Sequence, residues 1–336
     1  MKEIKYNRIA IVKLSAMGDI IHAMVALQYI KKNYPKLQID WFVESSFAQV
    51  LKYNEDIDNI YEVNLKSIKK DKNKLFQQIK LINQFSKNKY DLVIDAQGLI
   101  KSAIVSKILG KNIAGFDKNS IREKLASIFY NIKINIPYES NTIDRNARIL
   151  SEPLNFNITK EEILNKKAFL FYKNEENFIY QFLRDDKKNI LFVIGSTWES
   201  RNYPKEKFAN IANELKENVI VIWGTEEEKE KADFISKSSE YAKVLPKCNL
   251  NSLKALISKC DLVIGNDTGP THMAWALNIP SITIFGPTPT NRIYETNINK
   301  FVKSSSKVNP LKLNKNDFSI NEIKEEEIIT IAKSLL

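Results

Sequence analysis

The sequence predicts an α/β protein built from two parallel-sheet halves, and three observations carry that prediction. Its short apolar runs are continuous rather than alternating, as expected of strands covered by helices on both faces. Stretches of helical period separate the runs, which implies β-α-β units with right-handed crossovers. The alternation also begins twice, near Ile9 and again near Ile190, across a polar, strand-poor stretch at about 155–188.

In the first half the strand-like runs are 9–12, 39–43 and 91–94. In the second they are 190–194, 219–223, 261–264 and 281–285. A helix is expected over 20–32, with Ile20, Ala23, Met24, Leu27 and Ile30 on its apolar face. Further helical stretches run over 208–215 and 252–258. Residues 319–336 read as an amphipathic helix, capped by Ser319 or Asn321, with Glu322, Glu325 and Glu326 placed well for its positive end. The charge run KSIKKDKNK at 66–74 is expected in a loop. The domains expected are 1–160, 170–315 and a terminal helix, 318–336, that returns toward the first domain.

Composition narrows the class. A length of 336 residues suits two domains. With 43% hydrophobic and 27% charged residues the chain is globular, and 9 Gly and 10 Pro exclude a collagen-like fibre. No apolar run approaches the ~20 residues needed to span a bilayer, and the N-terminus lacks the apolar core of a signal peptide. Two Cys (Cys248 and Cys260) and two His make neither a disulfide framework nor a typical zinc site. A reduced, cytoplasmic protein without a metal is the expectation. The net charge of +11 is uneven: residues 1–160 hold 26 basic and 16 acidic side chains, the remainder 25 and 24. A basic first half suits an anionic partner, whether nucleic acid, membrane surface or phosphorylated substrate. Nucleic acid would call for aromatics among the basic residues, and the 66–74 run has none.

Neither a G-x-G-x-x-G nor a G-x-x-x-x-G-K-[ST] motif occurs, which argues against a nicotinamide enzyme or a P-loop NTPase. Other turns carry the chemistry. KLSAMGD (13–19) follows the first strand, where Gly18 permits a tight turn and Asp19 either caps the next helix or serves as a general base. His22 shares that helical face and either orients substrate or packs. GNDTGPTH (265–272) precedes a helix whose free N–H groups and dipole attract phosphate, with Thr268 and Thr271 as hydroxyl donors and Asp267 for a sugar hydroxyl. GSTWESR (195–201) offers Ser196 and Thr197 to a diphosphate, with Arg201 as a bidentate partner. GTEEE (224–228) follows a strand where a nucleoside would be gripped, although Glu226 and Glu227 suit a solvated helix start. DAQGLIKS (95–102) ends a strand of the basic half, which also holds Lys101, Arg122, Arg145 and Arg148.

Taken together, the segments at 11–27, 90–103, 115–131, 195–208 and 265–277, followed by FGPT (285–288), resemble the lipopolysaccharide heptosyltransferases of glycosyltransferase family 9. DAQGLIKSA and IREKLASIFYN are most similar to the heptosyltransferase I branch. The resemblance implies a GT-B fold, two Rossmann-like domains facing a cleft. It implies transfer of heptose from ADP-heptose to the inner 3-deoxy-manno-octulosonate (Kdo) of Kdo2-lipid A, in α-(1→5) linkage with inversion and release of ADP. No cofactor is implied, since ADP-heptose is a substrate, and the chain would work at the inner face of the inner membrane. Asp19 matches the family's general base. Thr197 and Arg201 match contacts to the donor diphosphate and sugar, Glu228 the nucleoside-side carboxylate and Cys248 a position near the adenine. Asp267 matches a heptose-binding residue, and Thr268, Gly269 and His272 the phosphate-binding helix start. Lys66, Lys69 and Lys70 fall in the acceptor loop, and Lys101, Arg122, Arg145 and Arg148 on the acceptor side. Arg201 stands where the family usually has Lys, Cys248 where Met is frequent, and the loop lysines where Arg is common.

Overall fold

A computed structural model describes residues 6–336 except Lys70, with Lys69 described through its backbone alone. The chain divides into two compact units, Met1–Phe169 and Leu170–Leu336.

In the first unit β1 (Arg8–Val12) leads into α1 (Met17–Met24) and α2 (Leu27–Asn33). Then come β2 (Gln38–Glu44), α3 (Ala48–Leu51), β3 (Asn59–Val63), α4 (Lys74–Ser86) and β4 (Leu92–Asp95). The unit continues with α5 (Ile100–Leu109), β5 (Ile113–Phe116), β6 (Ile132–Ile134), α6 (Thr142–Ser151) and α7 (Lys160–Leu164). Its six strands are all parallel, in the order β3-β2-β1-β4-β5-β6. The order reverses between β1 and β4, and the loops leaving those two strands diverge to opposite faces of the sheet. Such a switch point leaves a crevice at the carboxyl ends of the strands, where ligands of open α/β sheets bind.

The second unit repeats this plan. It runs β7 (Asn189–Val193), α8 (Lys205–Leu215), β8 (Asn218–Ile222), α9 (Glu226–Ser238), β9 (Ala242–Val244) and α10 (Leu250–Ile257). It ends β10 (Leu262–Asn266), α11 (Gly269–Ala276), β11 (Ser281–Phe285), β12 (Asn299–Lys303) and α12 (Glu325–Leu335). The order β12-β11-β10-β7-β8-β9 is again parallel and again reverses beside its first strand, between β7 and β10. Ile190, Phe192, Val219, Val221, Leu262, Ile264, Ile282 and Ile284 are fully buried in its core.

Several expectations are corrected. The helix expected over 20–32 starts earlier and is two helices, because Ala26 N–H bonds to Ala23 O in a tightened turn while its φ and ψ remain helical. The C-terminal segment is a 3₁₀ turn, Ser319–Glu322, followed by α12. Ile320 and Ile323 enter the core there, so Lys324 rather than Ser319 or Asn321 takes the cap position. That helix was expected to return toward the first domain. It packs on α8, with Ile328 and Ala332 in the core of its own unit. The basic run at 66–74 is partly helical, with a 3₁₀ turn over Leu65–Lys69 and the start of α4 at Lys74. Among the described residues no helix is long and apolar enough to cross a membrane.

Gly265, near the end of β10, is needed for close packing at the second switch point. A Cβ there would meet Val193 Cβ at 2.4 Å and Val193 O at 2.8 Å, and a backbone carbonyl cannot swing away. Gly265→Ala is therefore expected to destabilise the chain by about 1–3 kcal/mol, the usual cost of overpacking. Urea unfolding followed by far-UV circular dichroism would show it as a lower midpoint at an unchanged slope.

Candidate active site

At the first switch point the loop after β1 is tied to the loop after β4. Lys13 Nζ donates to Ala96 O at 2.7 Å, and Gln97 Oε1 accepts from Leu14 N at 3.1 Å and Ser15 N at 3.0 Å. The anchor beneath is Asp95, fully buried at the end of β4. Its carboxylate accepts from Gln97 N, Gly98 N, Ser102 Oγ and Tyr130 Oη at 2.9, 3.1, 2.9 and 2.8 Å. Burial pushes the Asp95 carboxyl up from the usual range, and these four donors oppose that shift. Gly98 closes the turn at φ +69°, a conformation that favours glycine.

The tied loop delivers Asp19. Ala16, not Asp19, is the N-cap of α1, and Asp19 stands at the third helical position. Its one hydrogen-bond contact among the described residues, from Ala16 N to Oδ2, is 3.4 Å long, beyond the normal range for such a bond. The carboxylate is half-buried, so it is held at the helix start and remains open to a substrate hydroxyl. His22 packs: it is buried on α1, with Nδ1 3.5 Å from Thr142 Oγ1 on α6.

The basic residues expected around an acceptor divide. Lys66, Lys101, Arg122 and Arg148 are exposed; Lys66 Nζ lies 4.5 Å from the centre of the Phe47 ring, and Arg148 pairs with Glu152 at 2.7 Å. Arg145 is corrected. It is buried, donates to the carbonyls of Ser120, Ile136 and Pro137 at 2.6–3.1 Å, and lies over the rings of Phe116 and Tyr138, so it clamps a loop. Lys70 and the side chain of Lys69 lie outside the described residues.

The second switch point is stitched in the same manner. Asn266 Nδ2 donates to Ile194 O at 2.7 Å, and its Oδ1 accepts from Tyr203 N at 3.0 Å. Beside it Asp267, 2% exposed, gathers the cations. Arg201 Nη2 lies 2.8 Å from Oδ2 and also donates to the Asp267 carbonyl; His272 Nε2 lies 2.9 Å from Oδ1, and Arg292 Nε 4.0 Å from Oδ2. Burial alone would raise the Asp267 carboxyl. The hydrogen bond with His272 and the charges of Arg201 and Arg292 outweigh it and hold the group well below the usual carboxylate range. Both Asp267 oxygens are thus engaged, although the sequence assigned the residue to a sugar hydroxyl.

Around this hub Thr268 is the N-cap of α11, and its side chain makes no cap hydrogen bond among the described residues. Pro270, expected in the first turn, is there. Thr271 is corrected: it is buried and gives its hydroxyl to Asn266 O at 2.7 Å. The hydroxyls of Ser196, Ser200 and Thr288 are buried and have no hydrogen-bond partner among the described residues. Ser200 and Thr288, like Gln97 and Arg292, carried no motif signal of their own. Thr197 is exposed. Glu228 closes a capping box with Thr225, its Oε2 accepting from Gly224 N at 2.6 Å. Its carboxylate lies against Gly195, where a Cβ would come within 2.0 Å of Glu228 Cδ. Cys248, between β9 and α10, is half-buried, and burial together with Glu176 pushes its thiol up to about 11.

Comparison with known proteins identifies the family of the chain. Residues 78–320 match the family model described as glycosyltransferase family 9 (heptosyltransferase). The chain belongs to glycosyltransferase family 9. It is 41% identical to lipopolysaccharide heptosyltransferase 1 of Campylobacter coli, with 98% of each chain covered. It is 28% identical to the Escherichia coli protein of the same name, over 91% of this chain and 96% of that one. A solved structure, E. coli heptosyltransferase WaaC with ADP-2-deoxy-2-fluoro heptose, shares the fold at a TM-score of 0.79 and 23% identity, covering 98% of this chain and all of that one. This family 9 chain is accordingly a glycosyltransferase, with the GT-B type of fold.

The Asp267 hub sets an acid limit on stability. Its folded pKa lies below the 3.8 of a free Asp, so its contribution is complete above about pH 4–5 and is lost as pH falls. Below that value the unfolding free energy should drop by about 1.4 kcal/mol per pH unit from this group. Asp267→Asn should be less stable at pH 7 and should show a flatter acid limb in urea unfolding between pH 6 and 3.

Proposed function

We propose that this glycosyltransferase is a heptosyltransferase I, moving L-glycero-D-manno-heptose from ADP-heptose to the inner Kdo of Kdo2-lipid A during assembly of the lipopolysaccharide inner core. Asp19 takes the proton from the Kdo hydroxyl as that oxygen attacks the anomeric carbon. ADP leaves, and the heptose is inverted into an α-(1→5) linkage. Arg201, His272 and the start of α11 face the leaving diphosphate, with Ser196, Thr197 and Thr268 as hydroxyl donors. Glu228 and Cys248 take the nucleoside end. Developing charge on the leaving group is met by side chains and N–H groups, so the reading assigns no metal or organic cofactor.

The acceptor carries lipid A phosphates and Kdo carboxylates, which suits the basic first unit. Lys66, Lys101, Arg122 and Arg148 supply exposed charge in this reading, and Lys69 and Lys70 add to the basic run by sequence. The acyl chains stay in the bilayer, and the protein docks peripherally on the anionic cytoplasmic face. The observation that carries the proposal is the pair of switch points. One presents the open carboxylate of Asp19, and the other a cation hub beside a helix start whose N-cap, Thr268, makes no side-chain hydrogen bond.

An ADP-release assay with purified protein tests it. Release from ADP-heptose should require Kdo2-lipid A or its deacylated form and should give a heptosylated product by mass. Acceptor-independent turnover would point to a nucleotide-sugar epimerase on the same scaffold. Asp19→Asn should lower kcat by about 10²–10⁴ while ADP affinity, read by calorimetry, stays unchanged. Near-normal turnover by that variant would remove Asp19 from the chemistry.

A further inference from the structure

Gln97 does more than tie two loops. Its Oε1 accepts from both Leu14 N and Ser15 N, and two backbone donors on one amide atom fix that atom as oxygen. The backbone N–H of Gln97 is itself held on Asp95 at 2.9 Å, so both ends of the residue are pinned. The amide plane is therefore set, and Nε2 is set with it. Nε2 makes no hydrogen bond among the described residues, nor is it one of the buried polar atoms left unpartnered, so it is open to solvent. It lies at the carboxyl end of β4, beside the loop that carries Asp19, at the switch point where such sheets take their ligands.

We propose that Gln97 is a further acceptor-binding residue: its carbonyl oxygen locks the Asp19 loop while its NH2 donates to a hydroxyl or carboxylate oxygen of the acceptor sugar. The proposal rests on the reading of the first unit as the acceptor side. A donor held rigidly next to the base positions the attacking hydroxyl without losing side-chain entropy on binding. Substitutions separate the two roles. Gln97→Glu keeps the oxygen that holds Leu14 and Ser15 but replaces the donor with an anionic acceptor. Gln97→Met removes both.

The test combines kinetics, amide exchange and NMR on the full chain. Gln97→Glu should raise the acceptor KM about tenfold or more, keep the donor KM within about threefold, and leave the Leu14 and Ser15 amides protected. Gln97→Met should lower kcat as well and expose both amides to exchange. In the ¹⁵N-labelled wild type, the side-chain NH2 signal that disappears in Gln97→Glu should shift on titration with Kdo. A normal acceptor KM in Gln97→Glu, or an unmoved NH2 signal in a protein that turns over, overturns the proposal. A shifted signal in a protein that transfers no heptose would retain Gln97 as a Kdo ligand and reject the donor assignment instead.

Discussion

Side-chain-to-backbone hydrogen bonds across a strand-order reversal are the constraint on which the rest of this molecule depends. A parallel sheet whose order reverses sends two loops apart just beyond the last ladder bonds, which in the first unit end at Ala96 N to Val12 O. In the first unit Lys13 and Gln97 span the gap, with buried Asp95 fixing the turn below them. In the second, Asn266 reaches Ile194 while Arg201 reaches Asp267. The two units share strand order and the position of the stitch, though the residues that make it differ. Leaving a buried polar group in it unpaired would cost about 1–3 kcal/mol, so each bond in these stitches helps to fix its loops.

The stitches also explain why two aspartates have opposite characters. Asp267 is enclosed, paired on both oxygens and held ionised by neighbouring cations, and it orders Arg201 and His272. Asp19 is half-buried with one long contact and keeps its carboxylate available. In the proposed reaction the first supplies a framework for the leaving group and the second takes a proton. That division suits the single displacement with one base proposed above.

Much of this was legible in the sequence. The seven long apolar runs are strands because both faces of a central parallel strand are covered. β3, β6, β9 and β12 escaped because edge strands are half-exposed and mixed in composition, and β5 because it has only four residues, one of them glycine. The site turns were readable because Gly, Asp and Thr cluster after strands, and the family resemblance gave them roles. What side chains touch was not readable. Arg145 has the same signature as an exposed basic residue, yet it is folded against three carbonyls. Gln97 lay inside a recognised segment without any feature to single it out. Its meaning comes from Leu14 and Ser15, more than eighty positions away.

The anomeric configuration of the transferred heptose tests the central claim most directly. Product formed from ADP-L-glycero-β-D-manno-heptose and deacylated Kdo2-lipid A would be isolated, and the configuration at its heptose C1 read by NMR. One open carboxylate acting as base predicts an α linkage, the inverted product. A β linkage would mean retention, by a second displacement or by attack on the face that ADP leaves. It would contradict both Asp19 as the base and Asp267 as the framework for the leaving group.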